Sequence, residues 1–179
     1  MLSKLLILVC SVAGALAADG VFYPPVARSF LSIDYQVGFP INTTTPNGIV
    51  VTVPVWGGDI TGTFNGHIVP NITSSVESYL QNAGGVYTSF NARYLFENDA
   101  GEHLVATVVG TTSYSDVDLH GFGYATLTTD IDRLKWVNTG MFVAEWQATL
   151  ETGKAEIQIF ELATGGRLDC APIHALKQS

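Results

Sequence analysis

The chain is 179 residues long, with 8 Lys+Arg, 16 Asp+Glu and a formal charge of −8. That length suits one domain, and 47% hydrophobic against 13% charged residues excludes a disordered chain. The acid excess argues against nucleic acid or an anionic membrane as partner, since both select basic surfaces.

Residues 1–17, MLSKLLILVCSVAGALA, read as a secretory signal peptide. Lys4 supplies the basic start, Leu5 to Val9 begin an apolar core, and Ala15-Leu16-Ala17 is an A-x-A cleavage site. The apolar stretch is too short for the ~20 residues of a spanning helix. Cleavage after Ala17 leaves residues 18–179 as a single domain, secreted or in the secretory lumen. It removes Lys4, taking the charge to −9, and Cys10, leaving Cys170 alone with no intrachain disulfide possible. Asn42-Thr43-Thr44 and Asn71-Ile72-Thr73 are sequons beside turn residues (Pro40, Pro46, Pro70), so Asn42 and Asn71 are expected to carry glycans.

Along the mature chain, short β-rich runs alternate with Gly, Asn, Asp and Pro. In residues 28–37, Leu31, Ile33, Tyr35 and Val37 share one face and Ser32, Asp34 and Gln36 the other. Residues 49–55 are almost continuously apolar on both faces, which leaves open a homo-oligomer interface or a second layer. Residues 60–69 set Ile60, Phe64 and Ile68 against Thr61, Thr63, Asn65 and His67. Residues 74–82 give the one helical spacing, with Val76, Tyr79 and Leu80 on one side. Residues 86–97 form a long aromatic strand, Asn98-Asp99-Ala100-Gly101 a turn, and residues 102–110 the returning hairpin strand. Further strands are expected at 121–129, 133–137, 140–150 and 155–162. Eight or nine antiparallel strands with at most short helices make an all-β barrel or sandwich. A barrel, lipocalin-like, is favoured because closure removes exposed edges. Its interior is just wide enough for one small ligand.

Several phrases in order resemble the small β-barrel family filed as domain of unknown function thirty-two thirty-seven. They are Val37-Gly38 followed by Thr45-Pro46-Asn47-Gly48; VPVWGGDITGTFNGHIVP at 53–70; ARYLFENDAGEHLV at 92–105; and KWVNTGMFVA at 135–144. Many relatives carry a glycine-rich turn with Asp-Trp after the second phrase, where this chain has Asn71-Ile72-Thr73 and residues 74–82. The signal peptide, sequons and size resemble the secreted fungal branch. That resemblance implies a cofactor-free cyclase of natural-product pathways, such as a hetero-Diels–Alderase joining a polyketide quinone methide to a terpene alkene.

The residues themselves carry no nucleophile elbow, P-loop or dinucleotide fingerprint. The four His (His67, His103, His120, His174) show no H-x-H or H-x-x-x-H spacing, so neither a metal nor a cofactor is expected. Glu97 with Asp99, and Asp130 with Asp132, flank turns rather than face across a glycosidase cleft. Aromatic side chains recur on nearly every strand and suit either a packed core or an apolar cavity. The substrate-binding candidates are Tyr35, Trp56, Tyr124, Trp136, Asn138, Phe142 and Trp146, with Trp136 and Asn138 placed on one face by strand parity. If a quinone methide forms in place, a general acid must help a hydroxyl leave. His67, Tyr94 and His120 are the catalytic candidates. The partner expected is a hydrophobic small molecule. Two other readings stay open: a lipocalin-like carrier with a wholly apolar cavity, and a surface-binding effector with a filled core.

Overall fold

The computed structural model describes residues 20–79 and 87–173. The signal-peptide reading, with Cys10, lies outside them, as do residues 80–82 and His174. The described residues divide into two units, one within residues 25–163 and a terminal one of residues 20–24 with 164–173. In the terminal unit, Phe22 bridges Arg167, the Arg167 guanidinium lies 5.9 Å from the Phe22 ring centroid, and Asp169 pairs with the same guanidinium.

The described residues of 25–163 form ten strands: β1 (Val26–Val37), β2 (Ile41–Thr45), β3 (Gly48–Gly62), β4 (Gly66–Ile68), β5 (Ser74–Tyr79), β6 (Tyr87–Glu97), β7 (His103–Tyr114), β8 (Asp118–Thr128), β9 (Phe142–Thr149) and β10 (Lys154–Ala163). All pairings are antiparallel, and β1 pairs with both β10 and β3. The sheet therefore closes on itself through β1, β10, β9, β8, β7, β6, then β4 and β5 in line, then β3. β2 continues from β1 along the same edge of β3, carried over by the Gly38 N–H to the Pro54 carbonyl.

Strict alternation builds the interior. Ile33 of β1, Tyr94 and Phe96 of β6, and Ile157 and Ile159 of β10 are fully buried while their sequence neighbours are more exposed, and a register shift between Ser29 and Leu31 buries Phe30 and Leu31 together at the start of β1. The expected alternation in residues 60–68 holds, with Ile60, Phe64 and Ile68 buried and Thr61, Thr63, Asn65 and His67 outside. The β1–β3 pairing provides the closure that the barrel expectation rests on.

Two local expectations are corrected. The spacing of Val76, Tyr79 and Leu80 predicts a helix over 74–82, but Ser74–Tyr79 is strand β5, laddered to β3 on one side and β6 on the other. Those two ladders satisfy its backbone and override a weak helical preference. Residues 133–137 were read as a strand, but Asp132–Thr139 is a 3₁₀ helix. Its period of three buries Ile131, Leu134 and Val137 against the core. It links β8 to β9, and Trp136 packs edge-on to Phe30 at 5.5 Å, with Phe142 5.0 Å from Phe30. This apolar cluster fills one end of the ring. Among the described residues no helix is long and apolar enough to cross a membrane.

Candidate functional site

The other end of the interior is polar. Here β1 and β9 finish, β10 begins, and β5, β6 and β7 contribute inward side chains. Glu77 of β5 is buried inside the ring, only 4% exposed. It sits between Val51 of β3 and Phe90 of β6 in the ladders. Its Oε2 accepts a hydrogen bond from Thr88 Oγ1 at 2.6 Å and another from the Tyr114 hydroxyl at 2.5 Å. A buried carboxylate is tolerable only with such donors.

Two more phenols approach the same interior. The Tyr94 hydroxyl donates to the Tyr35 oxygen at 3.5 Å, and the rings meet edge to face at 5.9 Å. Burial lifts the Tyr35 phenol from its ordinary 10.0 to about 12; the Tyr94 hydrogen bond partly offsets this and the Glu77 charge adds to it. Burial, then the proximity of Tyr35 and of Glu77, raises Tyr94 well above its ordinary value. Burial raises Tyr114 too, reinforced by its bond to Glu77. All three phenols therefore stay protonated near neutrality and act as donors.

Trp146 of β9 forms an apolar wall beside this cluster. Its indole N–H donates to Thr112 Oγ1 at 3.1 Å, and its ring lies 4.5 Å from Phe90, tilted by 30°. Gly110 and Gly121 make this possible: a Cβ on either would stand 2.7 Å or 2.1 Å from the indole. On the same end of the barrel a depression of about 530 Å³ is lined by Tyr114, Leu119, Ala148, Lys154, Asp118 and His120, among others. Tyr114 thus faces the depression with Glu77 behind it. The size falls within the usual range of small-ligand sites, ~300–1,000 Å³.

The structure gathers Tyr35, Tyr94 and Trp146, from the sequence candidates, around Glu77. It does not bring the others there. His67 lies outside the ring, 3.9 Å from Glu97, which also holds His103 at 2.7 Å. His120 is outside too, 2.8 Å from Glu145, and reaches only the rim of the depression. Tyr124 projects from the outer face, 55% exposed. Trp56 is equally exposed because a bulge at Gly57, with φ 133°, breaks the register between Gln36 and Val37 and lays the indole over Gly38. Trp136 and Phe142 belong to the cluster at the far end. Asn138 does not share a strand face with Trp136. Its amide brackets Thr129, accepting from the Thr129 N–H at 2.8 Å and donating to its carbonyl at 2.9 Å. Asn42 and Asn71 are exposed. Among the described residues, no group of three or more His, Cys, Asp or Glu side chains could hold a metal ion.

Glu77, Thr88, Thr112 and Tyr114 were not singled out from the sequence. One signal was present: Glu77 is the only Asp, Glu, Lys or Arg between Asp59 and Arg93. A lone acid in a long uncharged β-rich stretch calls for an explanation.

Residues 25–162 match the family model described as "Protein of unknown function (DUF3237)", and the chain belongs to that family. No curated protein matches the sequence. The fold is similar to a protein with unknown function from Clostridium acetobutylicum ATCC 824, with TM-score 0.69 and 18% identity over 79% of this chain and 99% of that one. It is similar to a beta-barrel like protein from Acinetobacter baumannii AYE, with TM-score 0.62 and 16% identity over 79% and 98%. It is also similar to an enzyme from Penicillium herquei, with TM-score 0.54 and 14% identity over 79% and 96%. These matches correct the narrower placement in a secreted fungal branch of cyclases. Bacterial proteins of unknown function resemble the chain more than the fungal enzyme does.

Proposed function

We propose that this member of the family is an enzyme that binds an apolar small molecule at the polar end of its barrel and cyclises it. The observation that carries the reading is the Glu77–Tyr114 pair: a buried carboxylate bonded at 2.5 Å to a phenol that faces a depression. A carrier needs apolar walls and gains nothing from a buried carboxylate. A surface-binding effector needs no inward donors at all. The fold's similarity to an enzyme from Penicillium herquei is compatible with catalysis but shows the fold alone.

The reaction class proposed is a hetero-Diels–Alder cyclisation of a quinone methide with an alkene. A phenolic proton of the precursor passes to the Tyr114 oxygen as the Tyr114 proton moves to Glu77. The same relay then returns a proton to the departing benzylic hydroxyl, which leaves as water. The protein ends in the protonation state in which it began. Tyr35 donates a hydrogen bond to the resulting carbonyl. The apolar lining of the depression, Leu119 and Ala148, holds diene and alkene in one pose, with the buried Trp146 and Phe90 packed in the core behind it; such positioning reaches ~7–11 kcal/mol in favourable intramolecular cases. The proton steps contribute ~10²–10⁴ in rate. No cofactor is required by this scheme.

We propose also that the chain enters the secretory route through residues 1–17 and carries glycans on Asn42 and Asn71.

The test is to incubate purified protein with an ortho-hydroxybenzyl alcohol and an electron-rich alkene, following the adduct by chiral chromatography. Faster, enantioenriched product is expected. Product at the buffer rate and racemic, despite saturable binding, would leave the carrier reading in its place.

A further inference from the structure

We propose that β2 is the pairing edge of a two-fold symmetric dimer, in which Ile41–Thr45 of one copy adds antiparallel to Ile41–Thr45 of a second. Among the described residues β2 pairs with β3 alone, and none of them pairs with the N–H and C=O groups of its other edge. Native edges are normally protected by charge, proline, bulging or cover. Ile41-Asn42-Thr43-Thr44-Thr45 contains neither charge nor proline.

Charge selects the occupant. The chain carries −8 overall, so two copies repel over most of their surface. Between Asp34 and Asp59, however, there is no Asp, Glu, Lys or Arg. β2 and the N-terminal half of β3 fall wholly within this neutral span, so two acidic copies can meet along β2 without opposing like charges from these strands. Apolar side chains stand ready beside the edge: Phe39 is 87% exposed, and Ile41 and Trp56 are exposed too.

The strand is also self-complementary. With the axis at Thr43, Ile41 faces Thr45, Asn42 faces Thr44, and Thr43 faces its own copy. Opposed threonines are favourable cross-strand pairs. An isologous contact closes at two copies and does not propagate into fibres. Asn42 shares a sheet face with Val51 and Glu77, and Thr43 stands on the opposite face with Val50 and Ser78, so a glycan on Asn42 projects from the face and not along the edge backbone. This inference does not depend on the Glu77 site.

The test uses the secreted full-length protein in analytical ultracentrifugation, with Thr43→Lys as the edge-breaking variant. Wild type is expected to sediment at twice the monomer mass. Thr43→Lys is expected to raise the dimer dissociation constant about tenfold or more with an unchanged circular dichroism spectrum. A second measurement does not rely on weakening anything. In a Cys170→Ser background, Thr43→Cys is expected to cross-link to itself under mild oxidation, because the two Cβ atoms meet at the axis within disulfide reach. Val76→Cys, on the outer face of β5, is expected to stay monomeric on the same gel. Wild type that remains monomeric at all concentrations overturns the proposal. So does a dimer that Thr43→Lys leaves intact and Thr43→Cys fails to trap.

Discussion

The Tyr114 phenol lies 2.5 Å from the Glu77 carboxylate, joining β7 to β5 across the inside of the ring, 37 residues apart in sequence. Neither strand makes a site alone. β5 brings a carboxylate that only closure of the ring hides from water, and β7 ends where its last inward residue meets the depression.

Exchange of Glu77 for Gln keeps the volume and an acceptor for Thr88 and Tyr114 but removes the base. Turnover of a precursor that must lose water is expected to fall by ~10²–10⁴, with the melting curve little moved. Tyr114→Phe is expected to fall in the same range. With a precursor that forms the quinone methide spontaneously, both variants should keep product formation and enantioselectivity. His67→Gln and His120→Gln, outside the ring, are expected to keep full rate with either precursor. A fall in rate for either histidine variant would move the chemistry to the outer face.

Trp146 and Gly121 give the complementary case. Trp146→Ala removes a buried wall and is expected to cost ~3–5 kcal/mol of stability. The folded fraction is expected to release near-racemic product with either precursor. Gly121→Ala places a methyl where the indole lies, at 2.1 Å, and should cost ~1–3 kcal/mol by overpacking. Urea melts and near-ultraviolet circular dichroism of the tryptophan band check both. If folded Trp146→Ala keeps full selectivity, this wall is not part of the site.

The barrel was legible because alternation such as Leu31, Ile33, Tyr35 survives any register, and the Asn98 turn is local chemistry. The site was less legible, because an inward direction is fixed by pairing and not by type. Glu77 stood in a segment whose Val76, Tyr79 and Leu80 fit a helical period, and only the ladders to β3 and β6 turn it inward. Trp136 and Asn138 were given a shared face by a period of two, whereas their segment runs with a period of three. Trp56 was displaced by the bulge at Gly57, which no spacing rule announces. Tyr35, Tyr94 and Trp146 were found because each stands in a regularly alternating stretch; in β1 the register shifts fall outside it, before Leu31 and after Gln36.

The phenols make stability sensitive to alkali. Tyr35 keeps its proton to about 12 when folded, from an ordinary value of 10.0, so the folded state holds a proton that the unfolded chain has already released. Its contribution is therefore complete below 10.0 and is lost as pH rises to about 12. Tyr94 and Tyr114 shift in the same direction and extend the loss further up. Urea midpoints measured across this window are expected to fall steadily. Tyr35→Phe is expected to flatten the lower part of the slope, and an unchanged slope would place Tyr35 in contact with water.

Thr73 links the sequon to the core. Its side chain is buried, and its hydroxyl has no hydrogen-bond partner among the described residues, while Asn71 two residues earlier is exposed with φ 65°. The sequon needs that hydroxyl accessible during glycan transfer, so the proposed transfer to Asn71 would have to precede the burial of Thr73, whose carbonyl accepts from the Val55 N–H. Two consequences follow from one substitution. Thr73→Val destroys the acceptor motif, and intact mass is expected to drop by one glycan, leaving that on Asn42. It also replaces an unsatisfied buried hydroxyl by a methyl of similar size. In protein made without glycans, where the sugar cannot confuse the comparison, Thr73→Val is expected to raise stability by ~1 kcal/mol. A loss of stability would mean that the Thr73 hydroxyl is paired in solution, and an unchanged mass would mean that Asn71 is never glycosylated.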